Sequence, residues 1–450
     1  MTYQEFKEAV IGYAGKNGIA DYELYYESGW SDSVEIYREE VKGYSTEESL
    51  GVCFRCIAGG KAGYASTENL TEEEAESLVL RALENAASIE SEEECFIHKM
   101  GDSYALCGKN DSPRPSGGEL AEAALALQKE LYQSDSRVTD GTQAYMIYGS
   151  QKYALCNSNG LDLEDEYSMA NCYGMALVED NGEMYDGFKN KQGRTIQELD
   201  LKEIAAAAVE EAVSSIGADS VPSGKYTVVF SNKAMATLLS TYSPVFSAEQ
   251  AQKGMSLLSG KEGEKIAADS ITITDDPRYT DSMAKRTFDG EGVAAYAKNV
   301  VENGVLCTLL HNLKTAARAG VKSTGNASKA SYSSAIGVSP FTFYLQPAQG
   351  EGSSLEDLFQ AAREGIYITG LEGLHAGANA VTGDFSLSAK GFLIREGRKS
   401  APVKNFTVSG SFFALLEDVE RIGNDLELIR GKFGSPSVLV RDMAVAGKDA

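Results

Sequence analysis

The dipeptides Gly59-Gly60, Asn159-Gly160, Asn181-Gly182, Asn303-Gly304 and Glu396-Gly397 each stand between two stretches that read as strands. Glycine and asparagine accept the left-handed backbone of a two-residue turn, so such a dipeptide folds its flanks back on each other as neighbouring strands. Most of the chain is thereby committed to antiparallel sheet. In the first hundred residues the alternating segments YELYYESG, SVEIYREEVKGYST and LGVCFRCIAGGKAGYAST predict a meander with turns at Gly43 and at Gly59-Gly60.

Helices punctuate this pattern. Thr2 with Glu5 and Thr71 with Glu74 have capping-box spacing, and ELAEAALALQKELYQ and residues 199–216 read as further helices. Two stretches rich in Pro, Ser and Gly, KNDSPRPSGGE and GADSVPSGK, mark places where few contacts are expected to cross. The expected domains are therefore residues 1–108, 109–222 and 223–450. The expected fold class is α+β: an N-terminal helix plus antiparallel sheet layers, then a mainly-β, barrel-like C-terminal domain with a few helices. No internal repeat is legible.

Composition excludes several function classes. The chain is 43% hydrophobic and 24% charged, enough apolar material for a sizeable core. Its net charge of -25, without a compensating basic patch, repels phosphate backbones and anionic bilayers, so neither nucleic acid nor membrane is an expected partner. The N-terminal residues lack a basic region followed by an apolar core, and no apolar run has bilayer length; a cytoplasmic location is the expectation. Seven scattered cysteines suit reduced thiols better than a disulfide framework.

Only three histidines exist, His98, His311 and His375, and no two are near each other in sequence. A catalytic zinc site usually takes three protein ligands, often two His one helical turn apart, so no zincin helix is present. A site gathered across the fold from His311, His375 and Asp384 is the remaining route to an autonomous peptidase. Cys53-x-x-Cys56 lies in an alternating strand, where residues three apart face opposite sides, so it reads as structural. Gly320-Val-Lys-Ser-Thr-Gly325 looks like a phosphate loop but continues with Asn326, without the cation that holds terminal phosphates. No G-x-S-x-G elbow is found. What is left is the run Gly370-Leu-Glu-Gly-Leu-His-Ala-Gly-Ala-Asn379 followed by Thr382-Gly-Asp-Phe-Ser386. Asn379, Thr382, Gly383, Asp384 and Ser386 either offer donors and acceptors to a peptide main chain or form a tight turn with an Asx cap. The residues alone do not choose.

Several motifs then stand in a telling order: Phe288-Asp-Gly-Glu-Gly-Val293, Val301-Glu-Asn-Gly-Val305, Lys322-Ser-Thr-Gly325, the run just quoted, Gly391-Phe-Leu-Ile-Arg-Glu-Gly397, Thr407-Val-Ser-Gly410 and Gly423-Asn-Asp-Leu426. In this order and spacing the chain resembles the TldD/PmbA family of peptidase systems over nearly its whole length. The catalytic TldD branch carries H-E-x-x-x-H on a helix after the first strand of the C-terminal domain, with a late Cys as a further implied zinc ligand. Here Ser240-Thr241-Tyr242-Ser243-Pro244-Val245 aligns with that motif, so Ser240, Thr241 and Val245 stand where His, Glu and His would be, and no Cys follows Gly423-Asn-Asp.

The resemblance is therefore to the TldE/PmbA branch, which implies no catalytic residue and no metal or cofactor in this chain. Zinc is expected in a TldD-like partner. The resemblance also implies a heterodimer with that subunit acting on extended peptides and unfolded segments, including maturation of peptide precursors. A homodimer that binds peptides without cutting them is the further alternative. The family is also labelled a modulator of DNA gyrase; the net charge makes any such effect indirect.

Overall fold

The computed structural model describes residues 1–90, 93–107 and 112–448. The boundary expected between residues 108 and 109 lies outside them.

The first helix, Tyr3–Lys16, opens on the Thr2/Glu5 capping box. Strands Asp21–Tyr37, Glu40–Ala58 and Lys61–Thr67 follow, then helix Glu72–Ser88, capped by Thr71. The same plan is then repeated: helix Gly117–Ser134, strands Gln143–Asn157, Asp162–Asp180 and Glu183–Gly193, and helix Leu201–Ser214. The two first strands pair antiparallel, from Glu23 opposite Asn157 to Tyr37 opposite Gln143, so all six strands form one sheet with the first strands at its centre. The two segments on either side of residues 108 and 109 thus build one layer.

This repetition of helix, meander and helix corrects the expectation of no internal repeat. The units share a plan and a packing device more than a sequence. Gly63 in the third strand of the first unit lies under Ala82 of its helix, and Gly187 takes the same place under Ala208 in the second. At either position an added Cβ would fall inside the van der Waals shell of that helix carbonyl, so only glycine lets helix and strand approach this closely. Each helix pair has its own core. Phe6, Leu78 and Val79 cover Leu24 and Phe54; Leu127, Leu131 and Ile204 cover Val34 and Met146. Since Leu24 and Val34 lie an even number of positions apart on one strand, both helix pairs sit on the same face.

The turn expected at Gly43 is instead made by Arg38 and Glu39, at φ 53° and 59°, and Gly43 lies inside Glu40–Ala58. The long register between the first two strands forces these residues into the left-handed region. A bulge between Glu35 and Ile36 takes up the mismatch beside Gly43, and the cations of Arg38 and Lys42 lie over the Tyr37 ring. At Asn181-Gly182, φ of 51° and 83° match the expected turn.

The remaining chain forms two six-stranded sheets around one large core, with a short two-stranded sheet, Ala327–Ser328 and Gly337–Val338, beside them. In the first, Arg398–Ser411, Asp384–Arg395, Gly365–Glu372, Gly224–Phe230 and Val438–Ala446 lie side by side, and the last pairs back with Arg398–Ser411. This closes five strands into the expected barrel-like sheet, and Val419–Ile422 adds a short sixth strand along Val438–Val440. The second sheet is centred on Ile271–Asp275 and Phe343–Pro347 and ends in Phe433–Ser435 and Glu427–Ile429. Helix Asn232–Tyr242 packs on strands of both. No helix among the described residues is long and apolar enough to cross a membrane.

Candidate functional site

Helix Asn232–Tyr242 begins where Ser231 accepts a hydrogen bond from the Ala234 amide at 3.1 Å. Its first residue is tied to the distal motif. The Asn232 amide donates to Ser437 Oγ (3.1 Å) and its side-chain Nδ2 donates to the Asp425 carbonyl (2.9 Å). The Asp425 carboxylate accepts from the Ser437 amide (2.7 Å) and hydroxyl (2.6 Å). The helix then packs along Glu427–Ile429 and Phe433–Ser435. The helix and the strands after Gly423-Asn-Asp therefore pack together, with these hydrogen bonds at the helix's first residue, Asn232.

At the other end of the helix, the side chains of residues 241–245 do not suit zinc. The Thr241 hydroxyl donates to the Thr237 carbonyl at 2.8 Å, and the Ser243 hydroxyl to the Ser240 carbonyl at 2.9 Å. Pro244 bends the chain into a 3-10 turn, Ser243–Phe246, which buries Val245 in the core with 1% of its surface exposed. Zinc is held by imidazole nitrogen, thiolate or carboxylate. This stretch offers hydroxyls already committed to helix carbonyls and an aliphatic side chain, with Ser240 half-buried.

Between these positions Tyr242 has a different role. Its ring stacks on Phe412 at 4.6 Å, and its hydroxyl donates to the Asp384 carbonyl at 2.6 Å. Burial pushes the phenol up to about 12, which keeps the hydroxyl a donor. Nothing in the sequence assigned a role to Tyr242, Asn232 or Ser437, although Tyr242 lay in the stretch aligned with the zinc motif and Asp425 in the Gly423-Asn-Asp-Leu426 motif.

Tyr242 thus joins the helix to the polar run of residues 379–386. Asn379 Oδ1 accepts from the Val381 (2.9 Å) and Thr382 (3.3 Å) amides, and the Thr382 hydroxyl accepts from the Asp384 amide (3.3 Å). Gly383, at φ 80°, donates its amide to the Asn379 carbonyl. The Asx turn is therefore present. Asn379, Thr382, Asp384 and Ser386 are exposed, and the Ser386 hydroxyl accepts from that of Ser409 at 3.0 Å. Ser386, Ser388 and Lys390 share one face of their strand.

That face leads into a cleft of about 470 Å³ between the outside of the barrel and helix Leu201–Ser214. Lys390 pairs with Glu211 across it at 3.1 Å, and Lys233 approaches the same carboxylate at 3.7 Å. Burial opposes ionisation of Glu211, but the two lysines and the Phe188 amide outweigh it and hold the carboxyl below its usual range.

The three histidines stay apart in environment. His311 is buried, its Nδ1 without a partner, and burial holds the imidazole below its usual value. His375 is exposed on the short helix Leu374–Gly377, and His98 meets Asp102 at 2.9 Å. Among the described residues no three of His, Cys, Asp and Glu gather in a group able to hold a metal ion, so His311, His375 and Asp384 do not assemble into one. Cys53 and Cys56 are buried on opposite faces of their strand, in separate clusters. The phosphate-loop look-alike is the end of a helix, capped by Gly320, followed by a buried network. In it Thr324 donates to Asn326 Oδ1 (2.8 Å), and Asn326 Nδ2 donates to Asp275 (2.7 Å), which pairs with Lys298 (2.9 Å).

Family models match in chain order: the PmbA/TldA metallopeptidase domain 1 over residues 22–86, its central domain over 110–216 and its C-terminal domain over 223–447. An uncharacterised protein of Methanocaldococcus jannaschii is 32% identical over 436 residues, 96% of this chain and 98% of its own length. The metalloprotease PmbA of Escherichia coli O157:H7 is 26% identical over 339 residues, 74% of this chain and 71% of its own. A crystal structure from Thermotoga maritima, described as a candidate modulator of a DNA gyrase, superposes with a TM-score of 0.90 at 32% identity, covering 99% of this chain and all (100%) of that one. TldE from Thermococcus kodakarensis has the same fold, with a TM-score of 0.89 at 22% identity over 98% of this chain and 100% of its own. The matching models in order, and relatives aligned from end to end, place the chain in the PmbA/TldD metallopeptidase family.

Proposed function

We propose that this chain is the TldE/PmbA-type subunit of a cytoplasmic metallopeptidase system. In this reading a TldD-like partner holds the zinc, and this chain presents extended peptides and unfolded segments to it for proteolysis or peptide maturation. The observation that carries the reading is the junction of helix Asn232–Tyr242 with residues 425–437. The helix whose far end aligns with the family's zinc motif packs on the strands that follow the distal motif, and residues 241–245 supply only hydroxyls, a phenol and aliphatic side chains. A damaged enzyme would retain some of its ligands; here hydrogen bonds and packing use the space for another purpose.

The peptide path runs along the exposed polar run. Asp384 and Ser386 offer acceptors beside a rigid turn, Tyr242 fixes the Asp384 carbonyl, and Ser388 and Lys390 continue the same face into the cleft. Hydrogen bonds to main-chain groups give affinity with little sequence selectivity.

Metal analysis of the purified chain, with peptide cleavage measured with and without a TldD-like sibling, tests the reading. Substoichiometric zinc and cleavage only in the presence of the sibling are expected. Stoichiometric zinc with chelator-sensitive cleavage by the chain alone overturns it. Asp384→Ala is expected to slow cleavage by the complex while assembly persists, and unchanged turnover removes Asp384 from the path.

A further inference from the structure

On the strand Asp384–Arg395, the even-numbered residues from Asp384 to Ile394 face the outside of the barrel, because Phe385, Leu387 and Ala389 point into its core. This row is open at one end and covered at the other. Asp384, Ser386 and Ser388 are exposed, whereas Ile394 is buried against helix Leu355–Ala362, whose Phe359 also meets Tyr367 at 5.0 Å. The cleft lies at the covered end, with Lys390, Phe392 and Tyr367 in its wall. A chain laid along the row runs into that helix after Phe392, so it ends in the cleft.

The ladder changes at the same point. Ala389 pairs with Phe406 and Gly391 with Val403, so Lys390 on one strand stands opposite two residues, Lys404 and Asn405, on the next. Asn405 takes a left-handed φ of 56°, and this bulge brings Lys404 into the cleft beside Lys390. Like charges at facing positions repel unless an anion joins them. Lys390 has one in Glu211 at 3.1 Å, and with Lys233 it keeps that carboxyl ionised against its burial.

Lys404 has no such partner among the described residues. Its Nζ lies 5.2 Å from the centre of the Tyr185 ring. Asp219, whose carbonyl accepts from the Lys404 amide at 3.0 Å, gives its carboxylate to Lys448. The other carboxylates of the cleft, Asp186, Glu210 and Glu372, are exposed, where water weakens their pull. The half-buried end of the cleft therefore holds one ammonium more than it holds carboxylates.

We propose that this cleft binds the free C-terminal carboxylate of a peptide between Lys404 and Lys390, so that peptides lie along the row in one direction, C-terminus innermost. The inference rests on the peptide path proposed above and adds its polarity. The ligand's carboxylate is the anion that Lys404 lacks, and its main chain continues outward past Ser388 and Ser386. At about 3.3 Å per residue, an extended peptide of about eight residues covers the row from Phe392 back to Asp384.

Isothermal titration calorimetry of the full chain, without a sibling, tests this with an N-acetylated octapeptide of Ser, Thr and Ala. The free acid is expected to bind at least about tenfold more tightly than the C-terminal amide, which cannot make the charge-assisted contacts. An amide carrying a central aspartate separates a terminal carboxylate from a side-chain one, and should bind no better than the plain amide. Lys404→Met is expected to erase the preference for the acid while leaving the Kd of the amide unchanged, and Lys404→Arg to keep it. Equal binding of acid and amide overturns the proposal, as does no binding of the acid. So does an aspartate amide that matches the acid, or a Lys404→Met loss shared by both peptides. Cleavage by the complex with a TldD-like sibling separates the two claims: equal kcat/KM for acid and amide removes the anchor and leaves the peptidase role standing.

Discussion

On the strand Asp21–Tyr37, Tyr25 and Ser33 point to the same side of the sheet, yet Tyr25 is buried against Phe288 of the C-terminal domain while Ser33 is half-exposed. The whole sheet divides in this way. Towards the first unit it is packed between helices Tyr3–Lys16 and Glu72–Ser88 on one face and the C-terminal domain on the other. Arg55 there reaches Glu23 at 3.0 Å and Glu291 at 3.6 Å, and Asp165 accepts from the Thr287 amide and hydroxyl at 2.8 and 2.7 Å. Towards the second unit the helices cover one face only. The other carries a ladder of rings, Tyr145, Tyr173 and Phe188, with centroids 4.3 and 5.3 Å apart. One half of the sheet therefore fastens the domains together, with residues of both units, and the other leaves a wide face to solvent.

Arg55 gives the largest way to break this contrast. Its guanidinium is the cation between two buried carboxylates, and Arg55→Met would leave Glu23 and Glu291 buried without it. A loss of about 3–5 kcal/mol is expected in urea unfolding. A loss below about 1 kcal/mol would rank the triad with exposed ion pairs and deny it a fastening role.

The matched glycines sharpen the comparison. Gly63→Ala and Gly187→Ala push a helix off its strand at equivalent places, and each is expected to cost about 1–3 kcal/mol by thermal or chemical denaturation. Gly63→Ala should cost more, because its helix is pressed onto a sheet already backed by the C-terminal domain. Equal costs would show that the second face contributes nothing to the rigidity of the first unit.

Part of this was legible in the sequence. The unbroken burial from Val52 to Cys56 departs from the alternation expected of that segment, because the strand is covered on both faces. Strict alternation from Ala144 to Tyr148 matches cover on one face only. The Gly-containing turns were visible because their residue types are selective, whereas Arg38-Glu39 was not, since register forces the left-handed backbone there on residues that do not advertise it. The repeat was hidden because its shared elements are geometric: one glycine under one helix, and no common motif. At the candidate site, the helix and the polar run could be named from sequence, but their junction could not. It depends on Tyr242 reaching Asp384 across 142 positions, and no local pattern encodes such a separation.

On the open half, Tyr173→Ala removes the middle ring of the ladder. The ring is half-exposed, so the expected loss of stability is about 0.5–1.5 kcal/mol. A larger loss by calorimetry would mean that the face is covered in solution, which would favour a bound partner there over open solvent.

Two carboxyls on that same strand read the difference most finely. Glu27 and Glu35 point to the same side, eight positions apart. In the covered half, burial raises Glu27 above its ordinary 4.5, against the pull of Arg286 and Lys329. In the open half, Lys42 and then Tyr145 hold Glu35 below it by hydrogen bonding. The two contributions to stability have opposite signs. For Glu27 the folded state binds its proton more tightly than the unfolded chain, so stability falls as pH rises from about 4.5 through the folded value. For Glu35 the contribution is present above about 4.5 and is lost as pH falls through the lowered value. Glu27→Gln should therefore flatten a decline in stability with rising pH, and Glu35→Gln should remove a gain. Carboxyl carbon chemical shifts followed by NMR titration place both midpoints directly. Midpoints in the reverse order would mean that the C-terminal domain does not desolvate this strand.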